Sequence, residues 1–460
     1  MSVHRDDAPV LPGTARALLT RVAGAQVAAR APSLVAGVVR DGALVWSGGW
    51  GAVPEVGAPE DVQYRIGSIT KTLTAVVVLQ AVRDGLLDLG DPIEEVLGDP
   101  IGGYGDRTVR QLLTHTSGMQ AEPVGPWWER TAGVTFAELV AANPGAGAVF
   151  PAGQQYHYTN LAYALLGEAV GRVRGSDWWT VVRTGVLEPL GMDRTTYLPE
   201  APHATGASVH PYTGERVAEP ATDTGAMAPA GQVWSTVADL ARYGAFLAAG
   251  HPAVLDVSWL DLATHPVGAT RTAGLASAHG LGLALLAGGS GLLRGHTGSM
   301  PGFQAACFAD PPRRTAAVVL AGSTTGVPVA TLATDLLDLL HEREPTLPAP
   351  WRPTGAVPAL VRDVVGVWHW GNTAVTFVVD AAAGDEVVVR RGDTPLHRFA
   401  LRGAPGDERL VGTAGYHDGE TVEVHRRPDG SVSHLEVATF VYTRIPYDPD
   451  VPVPGGHPPA

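Results

Sequence analysis

At 460 residues and 45% hydrophobic content, the chain is long enough for two hydrophobic cores and too apolar for a disordered segment. A formal net charge of −14 and the lack of any basic run exclude nucleic acid and anionic membrane surfaces as partners, because both are met by clustered Lys and Arg. One cysteine, Cys307, excludes an internal disulfide and suits a reducing compartment.

The N-terminus, "MSVHRDDAPVLPG", has two aspartates and a proline where a secretory signal needs a basic start and an apolar middle. No apolar run approaches the roughly 18 to 20 residues of a membrane span. The expected compartment is the cytoplasm. Residues 14–30 have helical apolar spacing, with Thr14 placed to cap them. In "SLVAGVVRDGALVWSGGWG", Asp41-Gly42 between two apolar runs predicts a hairpin. From Ser68 to Leu87 the chain is apolar on nearly every face, which predicts a helix covered on all sides. Its threonines and valines lower helix propensity, so burial has to decide. "TVRQLLTHTSGM" predicts a short helix ending at Gly118, and residues 160–175 another, stopped by Gly175. "GLLRGHTGSMPGFQAACFADPPRRTAAVVLAGS" predicts three strands that extend the sheet begun by the hairpin, with Cys307 a buried, inert thiol. "TDLLDLLHERE" closes this region as a helix.

Residues 344–358 hold five prolines in 15 positions, a stiff linker composition. They separate a domain over 1–343 from one over 359–460, where short runs such as "AVTFVVD", "EVVVRR" and "TVEVHRR" predict a small antiparallel sheet or barrel. The tail "PYDPDVPVPGGHPPA" is expected to be irregular. Helices grouped around an antiparallel sheet make the first domain α+β.

Lys71 is the chain's only lysine, against 31 arginines. It follows Ser68 by three residues, so a helix starting there puts amine and hydroxyl on one face, about 5–6 Å apart at Cβ. A buried lysine can lose its proton and activate a serine; arginine stays protonated. A chain that uses arginine for every other long cation therefore reads as demanding a deprotonatable amine at this position. Two further stretches add to it. Tyr158-Thr159-Asn160 offers a phenol to relay protons and an amide to bind a carbonyl. His296-Thr297-Gly298 sits at a predicted strand end, followed by Ser299, whose N–H is a candidate oxyanion donor.

In this order, "SITK" at 68–71, "YTN" at 158–160 and "HTG" at 296–298 resemble the S-x-x-K, Y-x-N and K-T-G or H-x-G motifs of the serine β-lactamase and penicillin-binding-protein superfamily. "YRIGSITKTLTA", "LLTHTSGM", "VLEPLGMDRTTY" and "GHTGSMPGF" are similar to its class C-like branch, and the resemblance covers residues 15–340. It implies an antiparallel sheet flanked by helices, with an all-helical subdomain. It further implies Ser68 as acylated nucleophile, Lys71 as its proton acceptor and Tyr158 as partner base. Asn160 would bind the substrate carbonyl, and the N–H groups of Ser68 and Ser299 would hold the oxyanion. His296 stands where many relatives have lysine, which weakens the expected grip on a substrate carboxylate.

The resemblance implies no metal or cofactor, and a small-molecule or peptide substrate. The expected activity is a two-step hydrolysis of small esters, amides or D-amino-acid peptides. The alternatives are a thioesterase that cyclises carrier-bound peptides, a DD-carboxypeptidase or weak β-lactamase, and an inactive ligand-binding homologue. No serine lies in a G-x-S-x-G elbow and no H-E-x-x-H occurs, which sets aside α/β-hydrolases and zinc hydrolases. His115 is read as structural. Trp127-Trp128 are read as loop aromatics, with an acyl-pocket role as the alternative, and Trp178-Trp179 as helix core. Trp368 and Trp370 are read as packing rather than as a ligand cavity.

Overall fold

The computed structural model describes residues 2–4, 10–54, 58–99, 101–269, 276–345, 357–380, 386–404 and 406–451. The chain divides into two compact units, Met1–Pro345 and Thr346–Ala460. Most of the proline-rich stretch at 344–358 and the tail beyond 451 lie outside the described residues.

The first unit is built on an eight-stranded antiparallel sheet. Its strands are β1 (Ser2–His4), β2 (Ser33–Arg40), β3 (Ala43–Gly51), β4 (Ser277–His279), β5 (Ala284–Ala287), β6 (Leu292–Met300), β7 (Phe303–Asp310) and β8 (Thr315–Ala321). Across the sheet they run β1-β3-β2-β8-β7-β6-β5-β4, so the N-terminal hairpin joins the later strands through the β2–β8 pair. Asp41 and Gly42 both adopt positive φ, 50° and 85°, as the tight turn between β2 and β3 requires. The longer helices are α1 (Pro12–Ala29), α2 (Ile69–Arg83), α3 (Leu161–Arg174), α4 (Val237–Ala249) and α5 (Val329–Arg343).

Alternation along the strands divides the apolar side chains between the two faces of the sheet. Ala306 and Phe308 of β7 pack with Leu18 and Val22 of α1 and Leu332 and Leu336 of α5. Cys307, between them, faces the larger core shared with α2, α3 and α4. Burial pushes its thiol up to about 12, so it is inert at neutral pH. Every residue of α2 from Ile69 to Ala81 is buried. Burying a Val or Leu there contributes about 1.5–3 kcal/mol, which outweighs the low helix propensity of its β-branched residues.

Two helix ends differ from expectation. Thr14 is not a cap: α1 begins at Pro12, whose fixed φ suits a first helical position, and Thr14 lies inside the first turn. The helix after Thr108 spans only Val109–Leu113, capped reciprocally by Thr108 and Gln111. His115, at φ 56°, takes the chain out of helical geometry three residues before Gly118.

The second unit is a closed barrel of eight antiparallel strands: β9 (Gly366–Trp370), β10 (Thr373–Asp380), β11 (Glu386–Arg391), β12 (Thr394–Arg402), β13 (Arg409–Ala414), β14 (Thr421–Arg426), β15 (Val432–Val437) and β16 (Phe440–Thr443). Trp368 is buried in its core and donates its indole N–H to the Val364 carbonyl at 2.7 Å, while Trp370 is exposed against Phe440. Among the described residues, no helix is long and apolar enough to cross a membrane.

Candidate active site

Ser68 is the residue from which α2 starts, yet its hydroxyl makes no capping bond. It accepts instead from Lys71, whose Nζ lies 3.0 Å from Ser68 Oγ and 2.6 Å from the Ala230 carbonyl. Lys71 is fully buried and rests near the rings of Tyr158 and Tyr163, 5.1 and 5.6 Å from their centroids. Burial brings its pKa from 10.5 down to about 7, while Glu122 and Glu129 pull the other way. A large fraction of Lys71 is thus the free amine at neutral pH, within proton-transfer reach of the serine.

The opposite wall is β6. A Cβ on Gly298 would lie 1.8 Å from the Ile66 carbonyl oxygen and 3.1 Å from the Ser68 nitrogen. A Cβ on Gly67, at φ 53°, would lie 2.5 Å from the Ser299 nitrogen. Glycine on both sides lets backbone meet backbone, which brings the N–H groups of Ser68 and Ser299 into one corner. Ser68, Tyr158, His296, Thr297, Gly298 and Ser299 line a cleft of about 410 Å³; Lys71 joins it through Ser68, and Asn160 is not among the lining residues. Larger hollows of about 520 and 470 Å³ around Trp178 to Glu200 contain no nucleophile–base pair.

Tyr158 reaches Ser68 from the side. Burial drives its pKa well above 10, with the Ser68 hydroxyl the polar neighbour that works against this. The phenol has no well-formed hydrogen bond, so it is a protonated group awaiting a partner. His115 holds this segment in place: its carbonyl accepts the His157 N–H at 2.8 Å and its Nδ1 accepts the Thr159 N–H at 3.1 Å. Its ring lies 4.2 Å from that of Tyr158. A structural role for His115 is therefore also a positioning one, clamping both neighbours of Tyr158.

Asn160 is oriented by a residue that sequence reasoning missed. Its Nδ2 donates to Glu122 Oε1 at 2.8 Å, and Glu122 Oε2 accepts the Trp128 indole N–H at 2.7 Å. A carboxylate only accepts, so the amide nitrogen must face Glu122, and the buried, unpartnered Oδ1 is the free end. Asn160 thus keeps a free acceptor at Oδ1, and of the two N–H groups on Nδ2 only one is taken by Glu122. Trp128 is buried in this network and Trp127 is exposed. Trp178, in the core as expected, donates to Thr74 Oγ1 at 3.0 Å.

His296 is buried on β6 and donates from Nδ1 to the Thr297 carbonyl, which leaves Nε2 an unpartnered acceptor. Burial lowers its pKa to about 4, the Thr297 carbonyl opposes this and Lys71 adds to it, so it is neutral at pH 7. His279 fills the space between His115 and His296, with ring centroids 4.8 and 5.4 Å from theirs. It too was missed, because nothing local in "SAHGLG" marks it. Burial holds both His115 and His279 well below the ordinary histidine range.

The sequence profile of the β-lactamase family matches residues 19–342, and that of a domain of unknown function (DUF7586) matches residues 357–444. The D-alanyl-D-alanine-carboxypeptidase/endopeptidase AmpH of Escherichia coli (strain K12) is 30% identical over 198 residues, 40% of this chain and 48% of that protein. The chain spans about half the length of the curated relatives it matches. The octameric penicillin-binding protein homologue from Pyrococcus abyssi superposes with a TM-score of 0.63 at 23% identity, over 93% of this chain and 99% of that one, a likeness of fold. A D-stereospecific amidohydrolase from Streptomyces sp. superposes with a TM-score of 0.59 at 26% identity, over 72% of this chain and 98% of its own. The α+β unit with its three motifs thus belongs to the β-lactamase family, within the serine β-lactamase and penicillin-binding-protein superfamily of hydrolases.

Proposed function

We propose that the protein is a serine hydrolase that passes an acyl group from a small amide, D-amino-acid peptide or ester to Ser68 and then to water. The observation that carries this reading is the buried Lys71 amine, 3.0 Å from Ser68 Oγ with its pKa lowered to about 7. Ser68 Oγ attacks the substrate carbonyl as Lys71 takes its proton. The N–H groups of Ser68 and Ser299 hold the oxyanion. Tyr158, protonated at rest, hands its proton to the departing amine or alcohol and is resupplied by Lys71. Water then attacks the acyl-serine, its proton returns to the Lys71–Tyr158 pair, and Ser68 is restored.

Two features favour an amide or peptide. Asn160 keeps both a free Oδ1 and an unused Nδ2–H, the pair that a peptide group's N–H and carbonyl would meet, and neutral His296 places no cation where a β-lactam carboxylate would need one. The D-stereospecific amidohydrolase from Streptomyces sp. has an activity of this kind in its name. A fluorophosphonate probe should label wild-type protein at Ser68 and leave Ser68→Ala unlabelled. Equal labelling of both would remove Ser68 from the chemistry, and no labelling of either would favour a ligand-binding homologue. Hydrolysis of D-amino-acid amides should exceed that of nitrocefin; the reverse ranking would overturn the substrate assignment. His296→Lys should lower KM for carboxylate-bearing substrates relative to matched neutral ones. Unchanged KM would sink the reading of the third motif.

A further inference from the structure

Two neighbouring strands of the barrel bring two imidazoles and two carboxylates onto one face. In the β14–β15 pair His425 stands opposite His434 and Glu423 opposite Glu436. The alternating pleat sends all four side chains to the same side, away from Val422, Leu435 and Val437 in the barrel core. The two imidazole rings are parallel, with centroids 4.3 Å apart. His425 Nε2 lies 3.3 Å from Glu436 Oε2 and 3.7 Å from Glu423 Oε2, yet is shielded from solvent without a well-formed hydrogen bond. His434 Nδ1 lies 3.1 Å from Ser433 Oγ, a bond that steadies the ring and leaves Nε2 as its free ligand nitrogen.

We propose that this cluster is a zinc-class metal site, with His425, His434 and Glu436 as ligands and Glu423 completing the shell directly or through water. One nitrogen of each ring and one oxygen of Glu436 lie within 4.8 Å of one another. Tetrahedral bonds of about 2.0–2.2 Å require donors about 3.4 Å apart, which the His425–Glu436 pair already meets; the His434 ring must turn out of its stack on His425 to aim a nitrogen at the same ion, and its ligand atom is already within 4.8 Å of the other two. Charge points the same way. Carboxylates directly opposite across a strand pair repel, and a divalent cation between them turns that repulsion into attraction. Two imidazoles with a carboxylate favour Zn²⁺, Ni²⁺ or Cu²⁺ over Mg²⁺ or Ca²⁺, which prefer oxygen. The bound ion would clip β14 to β15. The assignment does not depend on the acyl-transfer chemistry.

The full chain, stripped with a chelator and dialysed, should bind one Zn²⁺ per chain in isothermal titration calorimetry. Excess Mg²⁺ or Ca²⁺ should not compete. His434→Ala and Glu436→Gln should each weaken binding by at least about tenfold, with circular dichroism unchanged. Zn²⁺ should raise the unfolding temperature of wild-type protein but not of the His425→Ala/His434→Ala double variant. No saturable binding at submillimolar Zn²⁺, full-affinity binding in the double variant, or equal competition by Ca²⁺ would each overturn the assignment.

Discussion

Lys71→Arg should abolish acylation of Ser68 and leave the rest of the fold in place. A guanidinium keeps its proton at any accessible pH, so it makes the charge permanent and removes the base. General-base assistance is typically worth 10²- to 10⁴-fold, so the rate of labelling by an activated ester should fall by about 10³-fold. In wild-type protein that rate should rise with pH through the Lys71 transition near 7 and level off above it. The same shift makes a stability prediction that runs in the same direction with pH. The folded-state pKa lies below the unfolded value, so the unfolded chain binds the extra proton between about 7 and 10.5 and stability from this group rises with pH. Below that window the fold carries a buried charge at a cost on the order of a few kcal/mol. Lys71→Met should therefore lose activity yet unfold at a higher temperature, with a larger gain in mildly acidic than in alkaline buffer. A Lys71→Arg variant with near-normal turnover would refute the base assignment, and a Lys71→Met variant less stable at every pH would refute the burial cost.

Gly298→Ala should damage the reaction from the other wall. Its new Cβ would sit 1.8 Å from the Ile66 carbonyl oxygen, so β6 must move away from the Gly67–Ser68 turn and carry the Ser299 N–H with it. Losing one oxyanion donor costs about 10²- to 10³-fold in kcat, with little change in KM. Gly67→Ala attacks the same contact from its other side and adds strain at φ 53°, so it should act in the same direction. Gly289→Ala, with nothing within 4 Å of its Cβ, serves as the neutral control. Single-turnover acylation separates the outcomes: unchanged rates in both site variants would remove the Ser299 N–H from the mechanism.

What could be read from the sequence was local. The Asp41-Gly42 turn, the all-round apolar character of α2 and the Ser68–Lys71 spacing each lie within a few residues, so residue type alone announces them. Orientation was not local. Which way the Asn160 amide is turned is decided by Glu122, which lies 38 residues earlier and only folding brings alongside. The same holds for His115, which grips a segment 44 residues further on. In the barrel, closure was not local either: the first and last strands each pair mainly with the strand next in sequence, and the barrel shuts where His369 meets Thr443, 74 residues apart. Thr14 was misassigned as a cap because Pro12 already supplies the start of α1.

The complete burial of the only lysine has a practical consequence for handling this chain. Reagents that modify amines find no lysine on the folded surface, and every exposed long cation is a guanidinium. Acetylation or crosslinking of a lysine would therefore record the moment the core around Ser68 opens. Mass spectrometry of one peptide would then serve as a clock for breathing of the site.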